Sequence, residues 1–494
     1  MTDIGGTDPD QDRAELARVE KALSTRWPES RMDPTLDRIR ILVDLLGNPQ
    51  RAYPVVHLTG TNGKTSTARM VDSLLRSFGL RVGRTTSPHL ESYTERISID
   101  GQPVSGTRFG ELYDDVAPYL ELVDAQQRNP LSLFEVMTAM SFVAFADAPV
   151  DVAVIEVGLG GSWDSTNIAD GQVAIITPIA IDHTRYLGNT VEEIATEKAG
   201  IIKPGAAAIF AAQQESAAEV LLHKVAEVGA TAAREGLEFG IVERRPAIGG
   251  QLISLQGLSG RYDDIFLPLY GVHQAQNAAC ALAAVEAFFG APERRAGETA
   301  ERLGSAADGT AEESGNGVGG AAEGSAVGTE GPQPLNVDLV RAGFAEVTSP
   351  GRLEIVRTLP TVLLDAGHNP HGMAATIDAV SESFAFTRLV GVVAALSDKD
   401  VRGMLEVLEP ALESIVVTEN SSHRRLPVDE LAALAVQVFG AARVTVEPRL
   451  DDAIDTGIQL AEEDIEGLGS SGVLITGSVI TAGDARMLLG TGPA

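Results

Sequence analysis

The 494-residue chain has one cysteine, Cys280, so no internal disulfide can form. A chain this long builds its core without covalent staples, and the missing disulfides fit a reducing cytoplasm. Basic residues are scarce. Lys and Arg number 38 against 69 Asp and Glu, for a formal net charge of −31. That balance excludes a general nucleic-acid binder and a protein docked on an anionic membrane, since both rest on cationic surfaces. It leaves room for small anionic ligands, because a local basic pocket or a metal overrides the global field. The first 30 residues are polar and acidic (Asp3, Asp8, Asp10, Asp12) and lack the apolar core of a secretory signal. No run approaches the roughly 18 apolar residues of a membrane span. The longest candidate, 278–291, is interrupted by Glu286. There is no nucleophile elbow, no CxxC knuckle and no GxGxxG fingerprint, so covalent hydrolase, zinc and NAD chemistry have no positive support.

What is present is an alternation of short apolar runs with helical patterns. Residues 53–58 read as a strand and 64–78 as a helix, with Ala68, Val71, Leu74 and Leu75 at helical spacing. Residues 150–157 and 172–181 read as buried strands. This order predicts an α/β fold, a parallel sheet covered by helices. Residues 304–334 are rich in Gly, Ala, Ser and Glu and lack aromatics, Lys and Arg, so they read as a disordered insert. Helical patterning resumes at 336–347. Strand-like runs at 361–366, 389–396, 414–418 and 473–476, with helices between them, predict a second, Rossmann-like α/β domain.

The sharpest local signal is Gly60-Thr61-Asn62-Gly63-Lys64-Thr65 between a strand and a helix. Glycines let backbone N–H groups wrap a phosphate, the helix N-terminus favours the anion, and Lys64 reaches the outer phosphates. Leu58 stands where the general pattern puts its first Gly. Glu156 closes an apolar strand, at the edge where open parallel sheets bind ligands, and is placed for a metal. Asp182-His183 closes the next strand. His183 reads as a neutral metal ligand or a base, although a lone His at a strand end reads first as structural. Lys198 lies on the apolar stripe formed by Val191, Ile194, Ile201 and Ile202. Such a lysine either snorkels or has a special chemical state. Arg352, which alone reads first as a surface arginine, suits phosphate neutralisation across a cleft, while Asp365 to Pro370 and Thr476-Gly477-Ser478 follow strands in the second domain.

Together these segments resemble one family. The order runs GTNGKTS, then Ser87-Pro88-His89-Leu90 with Glu95-Arg96-Ile97, Phe134-Glu135, Glu156 to Gly161, Asp182-His183, Glu197 to Ile202, Gly351 to Glu354, and Asp365 to Pro370. It resembles folylpolyglutamate synthase/dihydrofolate synthase, a bifunctional folate ligase of the Mur ligase superfamily, and most of all its actinobacterial members. The match spans nearly the whole chain, outside the acidic N-terminus and the insert. A Mur-type peptide ligase shares GTNGKT but not SPHL…ERI, and a non-catalytic nucleotide-binding homologue would not need the intact polar set.

The resemblance implies a cytoplasmic, monomeric, ATP-dependent amide ligase that adds L-glutamate to dihydropteroate or reduced folates through an acyl phosphate. It implies a P-loop ATPase domain over 1–348, carrying the insert, and a Rossmann-like glutamate ligase domain over 349–494. Gly60, Thr61, Asn62, Gly63, Lys64 and Thr65 would cradle phosphates, and Asn277, Arg352 and Asp365 would hold ATP from the domain junction. Ser87, Glu156 and His183 would hold Mg2+, and Lys198, carbamylated by CO2, would serve a second Mg2+. Lys64, His183, Lys198 and Arg352 would carry the catalysis. The pterin would lie near Met32, Asp33, Pro34, Thr35, Ser132, Leu133, Phe134, Glu135, Trp163, Asp164 and Ser165, and the incoming glutamate near His368 and Ser478. The family's usual GGR-x-DATN reads here with Ser162 for Arg and Ser165 for Ala, which bears on substrate preference more than on ATP chemistry.

Overall fold

The computed structural model describes residues 8–28, 31, 33–290, 333–463 and 470–490. Met32 and, apart from Gln333 and Pro334, the predicted insert lie outside the described residues.

Eight strands form the first sheet, in the order Gln102–Pro103, Ile97–Ile99, Val82–Thr85, Val152–Glu156, Val55–Thr59, Gly171–Ile176, Ala207–Phe210 and Thr231–Arg234. All pairings from Val82–Thr85 onward are parallel. Val55–Thr59 and Val152–Glu156 are buried at every position, as strands covered on both faces must be. Alternation divides their side chains. Val152 and Val154 join the core under the helices Lys64–Ser77 and Val272–Gly290, while Ala153 and Ile155 join that under Gly106–Asp124 and Leu133–Asp147.

The predicted strand 172–181 ends early, at Ile176. Beyond it the chain still reads apolar, but Thr177 N–H donates to Thr59 O and Pro178 O accepts from Thr61 N–H. The segment leaves the sheet to buttress the Gly60 loop. A three-stranded antiparallel sheet, ordered Arg261–Leu267, Gly250–Gln256, Gly240–Ala247, was not anticipated. Its inward residues Ile253, Leu255, Ile265 and Leu267 join the core, but the apolar Leu252 and Phe266 stand half-buried beside them, so neither strict alternation nor a long apolar run marks it.

The second α/β layer is a six-stranded sheet, ordered Arg352–Thr358, Thr361–Asp365, Ser470–Thr476, Phe386–Val393, Ser414–Val417, Val444–Val446. Only its first pair is antiparallel. Met404, Leu405, Leu431 and Phe439 pack on one face, and Ala453, Ile454, Ile458 and Ala485 on the other. This is the doubly wound arrangement, whose strand ends face the first sheet's ligand edge.

Buried charge braces the first domain. Arg38 Nε donates to Glu135 Oε1 at 3.0 Å, and Arg38 Nη1 donates to Asp33 Oδ2 at 2.6 Å. The Arg38 and Glu135 side chains are 8% and 5% exposed. Removing one partner strands the other charge. Arg38→Ala is therefore expected to lower stability by about 3–5 kcal/mol. Urea denaturation of Arg38→Ala against an Arg38→Met/Glu135→Leu double variant checks this, with the double recovering much of the loss.

Candidate active site

The site is built where Val55–Thr59, Val152–Glu156 and Gly171–Ile176 end together. The loop after the first strand needs its glycines. Gly60 has φ 154° and Gly63 has φ 88°. A Cβ on Gly60 would lie 1.8 Å from Thr177 Oγ1, and one on Gly63 2.6 Å from Asn277 Oδ1. Asn277 is buried, and its Nδ2 donates to Gln274 Oε1 at 3.1 Å, which fixes its amide against the loop. Thr61 Oγ1 donates to Ala180 O at 3.0 Å and Thr59 Oγ1 to Gly160 O at 2.7 Å, stitching three segments together.

Two lysines share one acceptor. Lys64 Nζ donates to Gly60 O at 3.1 Å and Thr61 O at 3.3 Å, and Lys198 Nζ donates to Gly60 O at 2.9 Å. Lys198 is 3% exposed. Burial, then the neighbouring Lys64, push its amine down to about 7. Burial also lowers the Lys64 amine, against the pull of Glu156 and Asp182. A cavity of about 40 Å³ beside them is lined by Gly60, Lys64, Gly158, His183, Lys198 and His368 among others.

Glu156 is buried, and its carboxylate accepts from Thr65 Oγ1 at 3.0 and 3.1 Å and from Ser87 N–H at 3.4 Å. Burial raises its carboxyl above the usual range, while Lys64 and Thr65 oppose the rise. Ser87 Oγ is buried without a hydrogen-bond partner among the described residues. A buried carboxylate beside an unsatisfied hydroxyl is a donor pair that suits a hard cation. Among the described residues no three His, Cys, Asp or Glu side chains cluster as a metal cage. Mg2+ does not require one, because it keeps waters and takes phosphate oxygens as ligands.

His183 has φ 50°, a left-handed backbone that turns its ring into the cleft. Burial, then Lys399, push its imidazole down to about 4, so the ring is neutral near pH 7 and has a lone pair. Lys399 Nζ donates to His183 Nε2 at 3.2 Å and to Asp182 Oδ1 at 2.8 Å. Burial opposes it, but His183 and Lys399 hold the Asp182 carboxyl well below the ordinary range. His368 arrives from the second domain, its Nε2 3.9 Å from Asp182 Oδ2, and burial pushes its ring down to about 3. Asn369 Nδ2 donates to Asp182 Oδ2 and to Asn62 Oδ1, both at 3.1 Å. The two domains therefore meet across Asp182.

The Mur ligase middle domain family model matches residues 58–285, and that of the Mur ligase, glutamate ligase domain matches 351–479. The dihydrofolate synthase/folylpolyglutamate synthase of Mycobacterium tuberculosis is 48% identical, over 97% of this chain and 95% of its own. The chain belongs to the dihydrofolate synthase/folylpolyglutamate synthase family. Mycobacterium tuberculosis folylpolyglutamate synthase complexed with ADP has TM-score 0.87 at 47% identity, covering 98% of this chain and 100% of that one. An FPGS–AMPPCP–folate complex has TM-score 0.74 at 29% identity, covering 96% and 99%. This member of the family is an ATP-dependent ligase with the Mur ligase fold. No helix among the described residues is long and apolar enough to cross a membrane.

Other residues of the folate ligase pattern have hydrogen bonds that tie them to the scaffold. Ser132 and Glu135 form a reciprocal cap at the start of the helix Leu133–Asp147. Asp33 Oδ2 accepts from Arg38 and from Asn129 Nδ2. Pro34 and Thr35 follow it, and Thr35 Oγ1 accepts from Asp37 N–H. Phe134 packs on Gly158, where a Cβ would lie 2.5 Å from the ring. Asp164 Oδ1 and Oδ2 accept from Thr166 and from Leu159 N–H. Asp365 accepts from Leu353 N–H, Gly367 N–H and Thr376 Oγ1, and so holds the turn that carries Arg352. Ser478 Oγ caps the helix Val479–Leu489 and accepts from Asn420 Nδ2, deep in the second domain.

The two departures from the pattern are accommodated. Ser165 Oγ lies 2.8 Å from Thr138 Oγ1, and Ser162 Oγ donates to Glu197 Oε2. Glu197 Oε1 also accepts from Gly161 and Ser162 N–H, at 3.1 and 2.8 Å. It anchors the Trp163 turn beside Lys198. Lys399 was missed by sequence reasoning. Its available signal was Ser397-Asp398-Lys399-Asp400 following a strand at the second sheet's ligand edge.

Proposed function

We propose that this ligase joins L-glutamate to the carboxyl group of dihydropteroate, of reduced folates, or of both. A carboxylate oxygen of the acceptor attacks the γ-phosphorus of ATP, ADP leaves, and an acyl phosphate remains. The α-amine of glutamate then attacks the acyl carbon. Phosphate departs with the C–O bonding electrons, the nitrogen loses a proton, and the amide is complete.

The observation that carries this reading is the convergence of Lys64, Glu156, His183 and Lys198 from one domain with His368 and Lys399 from the other. The backbone from Gly60 to Gly63 and the Lys64 ammonium hold the phosphates in line, with Thr65 beside them. Asn277, Arg352 and Asp365 form the nucleotide's second wall, and Arg352 neutralises charge on the transferring group. Ser87, Glu156 and His183 would hold Mg2+, and carbamylated Lys198 a second one. When bound, these ions neutralise phosphate charge and fix its orientation. His368 and Lys399 meet the incoming glutamate. Ser478 acts at a distance, by shaping the end of its helix.

The pterin lies by the Asp33–Thr35 turn, Ser132 to Glu135, and Trp163 to Ser165. Residues 1–348 act as the ATPase domain and 349–494 as the glutamate ligase domain. A single cysteine, buried at Cys280, fits a reducing cytoplasm, and a monomer is what the resemblance to the family suggests.

The test is glutamate- and Mg2+-dependent ADP release in bicarbonate buffer, run in parallel with dihydropteroate and with a reduced monoglutamyl folate. Release with both establishes bifunctional activity. Release with one assigns the branch and directs attention to Ser162 and Ser165. Bound ATP without release in either arm overturns the proposal.

A further inference from the structure

Arg486 lies on the helix Val479–Leu489, which Ser478 caps, and its side chain is 4% exposed. It grips carboxylates from both domains. Nη1 donates to Glu91 Oε1 at 2.7 Å, and Nε donates to Glu354 at 2.9 and 3.1 Å. Each carboxylate leads to a proposed ligand of MgATP. Glu91 sits four residues after Ser87. Its N–H and those of Leu90 and Ser92 are gathered by Glu95 at 2.6–2.8 Å, which makes the stretch one rigid unit. Glu354 sits two residues after Arg352 and accepts Gly351 N–H at 2.8 Å.

The backbone beside Arg352 is left-handed on both sides, with φ 68° at Gly351, which glycine adopts freely, and φ 47° at Leu353, which is uncommon for a leucine. Such a turn keeps its shape only where its surroundings over-determine it. The two units also interlock sterically. A Cβ on Gly483 would lie 2.0 Å from Leu90 O, and one on Gly351 3.3 Å from the Leu90 side chain.

We propose that Arg486 is a positioning residue that sets the Ser87 loop in register with the Arg352 turn, so that both converge on one Mg–nucleotide. The guanidinium suits this task because its planar fork bonds two carboxylates in fixed directions, which a lysine ammonium cannot reproduce. The proposal rests on the ligase reading for the meaning of Ser87 and Arg352.

The experiment is calorimetric binding of ADP at a series of Mg2+ concentrations, on the full chain and on Arg486→Met, Arg486→Lys, Glu91→Gln and the Arg486→Met/Glu91→Gln double variant. Arg486→Met is expected to weaken MgADP binding about tenfold, within the range such coupling residues show, and to raise the Mg2+ half-saturation. Arg486→Lys should fall between it and the parent. Glu91→Gln should raise the Mg2+ half-saturation too, and the double variant should lose no more than Arg486→Met alone. A merely structural arginine would shift the melting temperature without moving the Mg2+ half-saturation. MgADP affinity and Mg2+ half-saturation within twofold of the parent in both Arg486→Met and Glu91→Gln would overturn the proposal, as would losses that multiply in the double variant. Should Arg486→Met not fold, Glu91→Gln and Arg486→Lys carry the test. A parent that binds MgADP but releases no phosphate with either pterin acceptor refutes the ligase reading instead, and the binding series still decides the role of Arg486.

Discussion

Lys198→Ala is expected to lower glutamate-dependent ADP release by at least about 10²–10³-fold, the loss typical of one preorganised electrostatic group. Short-chain carboxylates such as acetate should restore part of it. The reason lies in an arrangement that is awkward as it stands. Two lysine ammonium groups donate to the single carbonyl of Gly60, one of them fully enclosed. Burial, helped by Lys64, lowers the Lys198 amine from its ordinary value near 10.5 to about 7. Above that pH the amine is neutral, and its lone pair adds to the carbon of CO2. An N–C bond forms, a proton leaves, and the side chain ends in an anionic carbamate. A cation–cation contact with Lys64 becomes a cation–anion pair.

The pH dependence follows in sign. Activation by bicarbonate should fall as pH drops below about 7, where a proton competes for the nitrogen. In CO2-free buffer the unfolded chain keeps Lys198 protonated up to about 10.5, while the folded chain releases that proton near 7. The unfolded state thus binds more protons across that window, and the contribution of Lys198 to stability rises with pH from about 7 to 10.5. Urea denaturation of the parent and of Lys198→Met should differ in this slope. Full activity in Lys198→Ala, or loss that no carboxylate repairs together with an unchanged slope, would remove Lys198 from the catalytic set.

The parts of this site that were legible in sequence share one property: their chemistry and their scaffold are contiguous. The strand before the phosphate loop is a mainly apolar run with only His57 polar inside it, read as 53–58 and found as Val55–Thr59, and the helix after it spans Lys64–Ser77. Lys198 was legible because an ammonium on an apolar helical stripe conflicts with burial at short range. Lys399 had no such conflict. Flanked by Asp398 and Asp400 it reads as a solvated loop, and only the second sheet carries it to Asp182 and His183, more than 200 residues away in sequence. Arg486 is the same case. The strand at 172–181 was read too long because apolar composition persists after the hydrogen-bond ladder ends. The Pro178 nitrogen cannot donate to a ladder, and Ile181 is 48% exposed. The bonds that Ser478 and Asp365 make inside the second domain were equally out of reach, since their partners come from separate strands and helices.

Glu156→Gln should separate catalysis from stability. Activity is expected to fall by about 10²–10³-fold, while the nucleotide-free protein keeps or gains thermal stability. Glu156 is 2% exposed, and among the described residues no ion pair within 4.0 Å offsets its charge, although Lys64 is close enough to stabilise it. Burial raises its carboxyl above the unfolded value near 4.5, so the folded state holds the proton more tightly than the unfolded one. The sign for stability is therefore negative. As pH rises through the unfolded value and then the raised folded one, the ionised carboxylate weighs increasingly against folding. Glutamine removes the charge and keeps an oxygen to accept from Thr65 Oγ1, as the carboxylate does at 3.0 Å. It cannot offer a hard cation an anionic oxygen beside Ser87. Adding ADP with Mg2+ should raise the parent's melting temperature through linkage to binding, and the increment due to Mg2+ should vanish in Glu156→Gln. Thermal scans of both proteins, with ADP alone and with MgADP, read the two effects separately. A variant that melts several degrees lower without ligand but keeps its Mg2+ increment would make Glu156 a scaffold residue. The reverse pattern is the one this buried carboxylate and its unsatisfied serine neighbour require.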